Sequence, residues 1–132
     1  MALRNILLVD DDEDDKSIIQ EAMESLGAAD VMWFADDGVH ALELLDRNFN
    51  SSVIPSLIVL DLNMPKMSGT NTLKRLKDDK RFKHIPVIIY STSVNPMEKE
   101  RCLSFGANAY LTKPLSFNES LDRAKTFLQF CD

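Results

Sequence analysis

The sequence predicts an α/β fold: a three-layer sandwich with a five-stranded parallel sheet between two layers of helices. Three observations carry this. Short apolar runs alternate five times with helix-length amphipathic stretches. The strongest runs, Ile6-Leu7-Leu8-Val9, Leu57-Ile58-Val59-Leu60 and Val87-Ile88-Ile89-Tyr90, are continuously apolar, as in strands buried on both faces of a parallel sheet. The intervening segments are long enough for right-handed crossovers, which place helices on both sheet faces.

Taken in order, the first strand is Ile6 to Val9. A helix comes next over Ser17 to Leu26, with Ile18, Ile19, Ala22, Met23 and Leu26 at helical spacing and Gly27 as its stop. Val31 to Phe34 is a second, weaker strand. Val39 to Leu45 is the second helix, opened by Asp36-Asp37-Gly38 and offering Ala41, Leu42 and Leu45 to the core. The polar stretch Arg47 to Ser56 then loops over the surface to the third strand, Leu57 to Leu60. Thr70 to Asp79 forms the third helix, with Leu73 and Leu76 inward. After the fourth strand, Asn95-Pro96-Met97-Glu98 starts a helix with an N-cap, a proline at its first position and an acid near its positive end. Gly106 ends it. Ala109 to Thr112 is the fifth strand, and Ser116-Phe117-Asn118-Glu119 is a capping box that opens the last helix.

Size and charge narrow the function. The 132 residues fit one domain, and 45% hydrophobic content excludes disorder as the dominant state. The formal net charge of −6 argues against nonspecific nucleic-acid binding and suits a bound cation. Cys102 and Cys131 make neither a disulfide framework nor a zinc spacing, as in a reducing cytoplasm. The apolar stretch Ile6 to Val9 is too short for a signal peptide or a membrane span. A cytoplasmic protein with no membrane association is expected.

The residues just beyond each strand carry the chemistry. The first strand ends in Asp10-Asp11-Asp12, the third in Asp61, the fourth in Ser91-Thr92 and the fifth in Lys113-Pro114. Ligands of open parallel sheets bind at the carboxyl ends of the strands. Taken singly, each residue has an ordinary account: a turn-starting aspartate, turn hydroxyls, a surface lysine. Asp12 to Asp15 read as a solvated loop with helix-start charges. Four segments delivering acids, hydroxyls and a lysine to one edge favour a site. Adjacent Asp10 and Asp11 repel unless a cation relieves them, and a hard divalent ion such as Mg²⁺ suits such carboxylates. His40 and His84 fall away from the strand ends and read as surface residues.

The segments Val9-Asp10-Asp11, Leu60-Asp61-Leu62-Asn63-Met64-Pro65-Lys66-Met67-Ser68-Gly69, Tyr90-Ser91-Thr92 and Gly106 to Pro114 resemble the receiver domain of bacterial response regulators. The resemblance covers essentially the whole chain. It implies sheet order 2-1-3-4-5 with five helices, a flavodoxin-like arrangement. It implies that Asp61 is the phosphoacceptor, that Asp11 binds Mg²⁺ directly, and that Asp10 does so directly or through water. Asn63 would give its backbone carbonyl to the metal. Ser91 would hydrogen-bond the phosphoryl group, Lys113 would pair with it, and Tyr110 would be the aromatic switch. The Lys113–Pro114 bond would be cis. Ser91 is preferred over Thr92 by strand alternation from Pro86. Asn63 and Ser93 would flank the path of hydrolytic water, with no fast built-in hydrolysis.

The resemblance also implies partners: a sensor histidine kinase, of phytochrome type by a weaker similarity, or a histidine phosphotransfer protein. The whole of 1–132 reads as a single receiver domain without an output domain, acting as a phosphorylated switch, a phosphate sink or a relay. The rival readings are a Mg²⁺-dependent aspartyl-phosphate hydrolase and a phosphorylation-independent interaction domain. The last helix predicts a core stripe of Leu121, Ala124, Leu128 and Cys131, at about 100° per residue. On that count Phe127 lies at the border and Phe130 outside. Two accounts of Phe130 stay open: folded back in a frayed turn, or joined with Phe127, Phe105 and Tyr110 in a homodimer patch on helix 4, strand 5 and helix 5.

Overall fold

A computed structural model describes residues 5–51, 53–92 and 95–131. Its five parallel strands are β1 (Ile6–Val9), β2 (Met32–Ala35), β3 (Leu57–Asp61), β4 (Val87–Ser91) and β5 (Ala109–Thr112), in the order β2-β1-β3-β4-β5. The helices are α1 (Glu13–Ser25), α2 (Gly38–Phe49), α3 (Gly69–Asp78), α4 (Pro96–Ser104) and α5 (Phe117–Cys131), and a 3₁₀ turn at Ala29–Val31 precedes β2. The expected architecture and strand order are those observed.

Alternate strand residues feed two cores. Leu7, Val9, Ile58, Leu60, Val87, Ile89 and Tyr110 pack beneath α2, α3 and α4, against Ala41, Leu45, Leu73, Leu76 and Cys102. Ile6, Leu8, Leu57, Val59, Ile88 and Tyr90 pack on the opposite face, against Ile19, Ala22, Met23, Ala124 and Phe127 of α1 and α5. β1, β3 and β4 are buried along their whole length, which is why their sequences show no polar alternation. Every strand therefore ends abruptly at the same edge, where the apolar pattern stops and polar residues begin.

Several boundaries differ from the sequence reading by one residue or more, and three of the differences have a clear local reason. Helix α1 begins four residues early because Asp12 is its N-cap, accepting hydrogen bonds from the Asp14 and Asp15 amides. Its acids form the first turn, where the helix dipole favours negative charge. Helix α2 runs on to Phe49, so the loop to β3 is shorter than expected. The second strand is shifted by one residue, because Val31 closes the 3₁₀ turn before it.

Helix α5 is rotated from its expected face. Its buried residues are Ser120, Ala124 and Phe127, while Leu121, Leu128 and Cys131 are only partly buried. Ser120 can be buried because its hydroxyl donates to the Phe117 carbonyl oxygen at 2.6 Å. Phe127 is fully buried and meets the Tyr90 ring edge-on at 5.6 Å between centroids. Phe130 is half-buried against the same core, and Tyr110 is buried on the other side of the sheet. The four aromatics do not form a continuous exposed patch. The last turn is not frayed, since α5 continues to Cys131, and Phe130 packs partly against the core from within the helix.

Candidate phosphorylation site

The strand ends build one acidic cleft of about 500 Å³, lined by Asp11 to Asp15, Asp61, Asn63, Thr92 and Lys113. Asp10 extends from β1 and is completely buried; its Oδ1 accepts from the Asp12 amide at 2.9 Å. Asp61 is the last residue of β3 and is 7% exposed. Asp11 is exposed at the rim. Carboxylate oxygens of Asp10, Asp11 and Asp61 lie within 4.8 Å of one another. Asn63 is exposed just beyond Asp61.

Lys113 enters from the end of β5 and is 8% exposed. Its Nζ lies 2.7 Å from Asp15 Oδ2, 2.9 Å from Asp10 Oδ2 and 3.4 Å from Asp61 Oδ2. The Asp15 contact is a well-directed hydrogen bond. The Asp10 contact is an ion pair that leaves Oδ2 without a well-directed hydrogen bond. The Lys113 amide donates to the Ser91 carbonyl at 2.7 Å, tying β5 to the end of β4. Ser91 itself is buried, whereas Thr92 is exposed on the cleft wall.

Burial and like charge set the electrostatics. Burial, then the Asp10 charge, push the Asp61 carboxyl up to about 6, with Lys113 partly offsetting them. Burial also raises Asp10. Burial alone would lower Lys113, but its contacts with Asp15 and Asp10 outweigh this and hold it above its usual range. The neighbouring carboxylates of Asp10, Asp11 and Asp61 and their excess negative charge fit a hard divalent cation.

Two features were not anticipated. Asp15 is drawn into the lysine's contacts, although the acidic run reads as solvated. The available signal was its place three residues after the Asp12 cap, on a helix turn that begins at the strand ends. Gly69, the first residue of α3, packs so closely on the end of β3 that a Cβ would run into the Asp61 carbonyl oxygen. Its amide donates to the Leu62 carbonyl at 3.0 Å.

One expectation is corrected. The Lys113–Pro114 bond is trans, and no cis peptide bond occurs among the described residues. Trans is the lower-energy isomer of such bonds by about 0.5–1 kcal/mol. The segment beyond it is held by the start of α5, where the Leu115 amide donates to Glu119 Oε1 and the Glu119 amide to Ser116 Oγ. Ser93 lies outside the described residues. His40 and His84 stand away from the cleft: Nδ1 of His40 accepts from the Asp36 amide, and His84 is exposed.

A five-stranded parallel sheet with acids and a lysine converging on its carboxyl edge has the arrangement of a receiver domain. Residues 6–125 match the response regulator receiver domain, and the chain belongs to that family. It is 37% identical over 111 residues to the chemotaxis protein CheY1 of Helicobacter pylori, covering 84% of this chain and 86% of that one. Among solved structures it is similar to the phosphorylated cyanobacterial phytochrome response regulator RcpA, with a TM-score of 0.86 and 31% identity over 98% of this chain and 94% of that one. The Mn²⁺-bound form of response regulator Rcp1 matches with a TM-score of 0.80 and 30% identity, over 96% and 93%. No helix among the described residues is long and apolar enough to cross a membrane.

Proposed function

We infer that the chain takes a phosphoryl group onto Asp61 and uses the modified aspartate to alter a protein-interaction face. The observation that supports this most is the Lys113 ammonium set among Asp10, Asp15 and Asp61, beside carboxylates that fit a divalent ion. Asp10, Asp11, Asp61 and the Asn63 backbone carbonyl would hold Mg²⁺. Bound there, the ion neutralises the negative charge between the acceptor and an incoming phosphoryl group.

An Asp61 oxygen forms the new P–O bond while the donor's bond to phosphorus breaks, P–N in a phosphohistidine or P–O in an acyl phosphate. The electron pair departs with the donor. Lys113 and the Ser91 hydroxyl then bind phosphoryl oxygens, holding the group in line. The added charge, nearly two units, draws Ser91 toward it. Ile89 pairs in register with Tyr110, and Ser91 with Thr112, two positions along the same strands. Movement of Ser91 is thereby passed to Tyr110 and the surface around β5, the kind of two-state element that a charge switch needs.

A histidine kinase is the natural donor, and similarity to phytochrome response regulators favours one of phytochrome type. A histidine phosphotransfer protein, with this chain as relay or phosphate sink, uses the same site. We read residues 1–132 as a single receiver domain acting in the cytoplasm. Self-association through α4, β5 and α5 would rest on Met97 and Leu103, the exposed apolar residues of α4, rather than on the buried aromatics.

Incubation with acetyl phosphate and Mg²⁺ tests the reading. Stoichiometric labelling that decays slowly is expected. Continuous phosphate release with many turnovers would instead indicate a hydrolase, and an absence of reaction would indicate a scaffold.

A further inference from the structure

Lys113 faces more carboxylates than the phosphoryl site alone accounts for. Its shortest contact is with Asp15 at 2.7 Å, while the ion pair with Asp61 is the longest of the three at 3.4 Å. Asp15 lies in the first turn of α1, on a different element and 98 residues away in sequence. Its side chain is 25% exposed, so the charge-assisted bond is partly shielded from water. The Asp15 carboxylate also sits in the first turn of α1, the end at which the helix dipole attracts negative charge. Asp15 does not belong to the carboxylate cluster that fits a cation, so its charge stays free for the lysine when a metal binds.

Resting on the receiver reading, we propose that Asp15 is a positioning residue that holds the Lys113 ammonium back from Asp61 in the unmodified protein. An ammonium has three N–H donors; one is directed at Asp15, and Asp10 is the next nearest carboxylate, at 2.9 Å. A phosphoryl group on Asp61 recruits the lysine in competition with Asp15. The anion also forms within the field of the Asp15 charge. Removing that charge therefore favours the phosphorylated form on both counts. In the intact chain Asp15 lowers the stability of the acyl phosphate and keeps the unmodified state from resembling the modified one.

The test compares the 132-residue chain with Asp15→Asn, Asp15→Glu and Glu21→Gln, using beryllium fluoride with Mg²⁺ as the phosphoryl mimic and acetyl phosphate as the donor. Glu21 is an exposed acid of the same helix that does not line the cleft, so its variant controls for general loss of charge. Asp15→Asn should bind beryllium fluoride about fivefold more tightly, the loss of one partly shielded charge-assisted contact, and should hold its phosphate longer. Asp15→Glu should return both values toward wild type, and Glu21→Gln should leave them unchanged. Unchanged or weaker binding in Asp15→Asn, or an equal gain in Glu21→Gln, would overturn the proposal. A wild-type chain that takes up neither reagent would instead defeat the receiver reading, and this inference with it.

Discussion

Asp61→Asn is expected to make the metal-free protein more stable at neutral pH while abolishing its labelling by acetyl phosphate. The Asp61 carboxyl is 7% exposed and is pushed up to about 6, against 3.8 for an unperturbed aspartate. Below about pH 4 it is protonated in both the folded and the unfolded chain, so it costs nothing. Between about 4 and 6 the folded state retains a proton that the unfolded chain has released. Stability attributable to this group therefore falls as pH rises through that window, and the full cost is present above it. A shift of this size corresponds to roughly 3 kcal/mol. Asparagine keeps the shape and removes the charge. Urea unfolding across pH 4–8 checks this: the variant should gain steadily on wild type and keep its advantage above pH 6. Adding Mg²⁺ should narrow the gap, because a cation relieves the wild-type carboxylates and stabilises the state that binds it. A variant no more stable than wild type at pH 7 without metal would contradict the electrostatic account.

Gly69→Ala should be the most damaging single-methyl change at this edge of the sheet. A Cβ there would run into the Asp61 carbonyl oxygen and the Leu62 Cα, both backbone atoms that cannot swing aside. Either α3 lifts from the sheet or the end of β3 moves. Overpacking of this kind costs about 2–3 kcal/mol, and displacement of Asp61 should slow labelling even where the chain folds. Gly27→Ala makes a useful contrast. Gly27 has φ +73° but open space around the added methyl, so its cost should be backbone strain of about 1 kcal/mol, with labelling unaffected. Thermal unfolding and acetyl-phosphate labelling of the two variants give both readings. Equal effects of the two substitutions would show that the close approach of α3 to β3 does not position the acceptor.

The legible part of this protein was the part that parallel-sheet burial writes directly into the chain. Continuous apolar runs as short as Leu57 to Leu60, set between helix-length amphipathic stretches, read as strands buried on both faces. Their abrupt polar ends then mark the edge where Asp10, Asp61 and Lys113 meet. Less legible was anything decided by how a helix sits on that sheet. The acids after Asp11 look solvated until Asp12 is seen to cap α1, which turns Asp15 back toward Lys113. In α5, counting apolar positions from Phe117 placed the core stripe on Leu121 and Leu128. Phe117 is 51% exposed, and the buried face is Ser120, Ala124 and Phe127. A small hydroxyl satisfied by its own helix is invisible to a hydrophobicity count. The tight seat of Gly69 against β3 is likewise a matter of the distance between helix and sheet, which no local pattern encodes.

The central claim is that Asp61 carries the phosphoryl group and that the neighbouring carboxylates act through a divalent ion. Locating the label tests it most directly. The 132-residue chain is incubated with acetyl phosphate, with Mg²⁺ or with a chelator, and the acyl phosphate is trapped by borohydride reduction and mapped by peptide mass spectrometry. The account predicts a single modified residue, Asp61, seen with Mg²⁺ and lost with the chelator. Modification at another aspartate, or labelling of Asp61 that persists without a divalent ion, would contradict it.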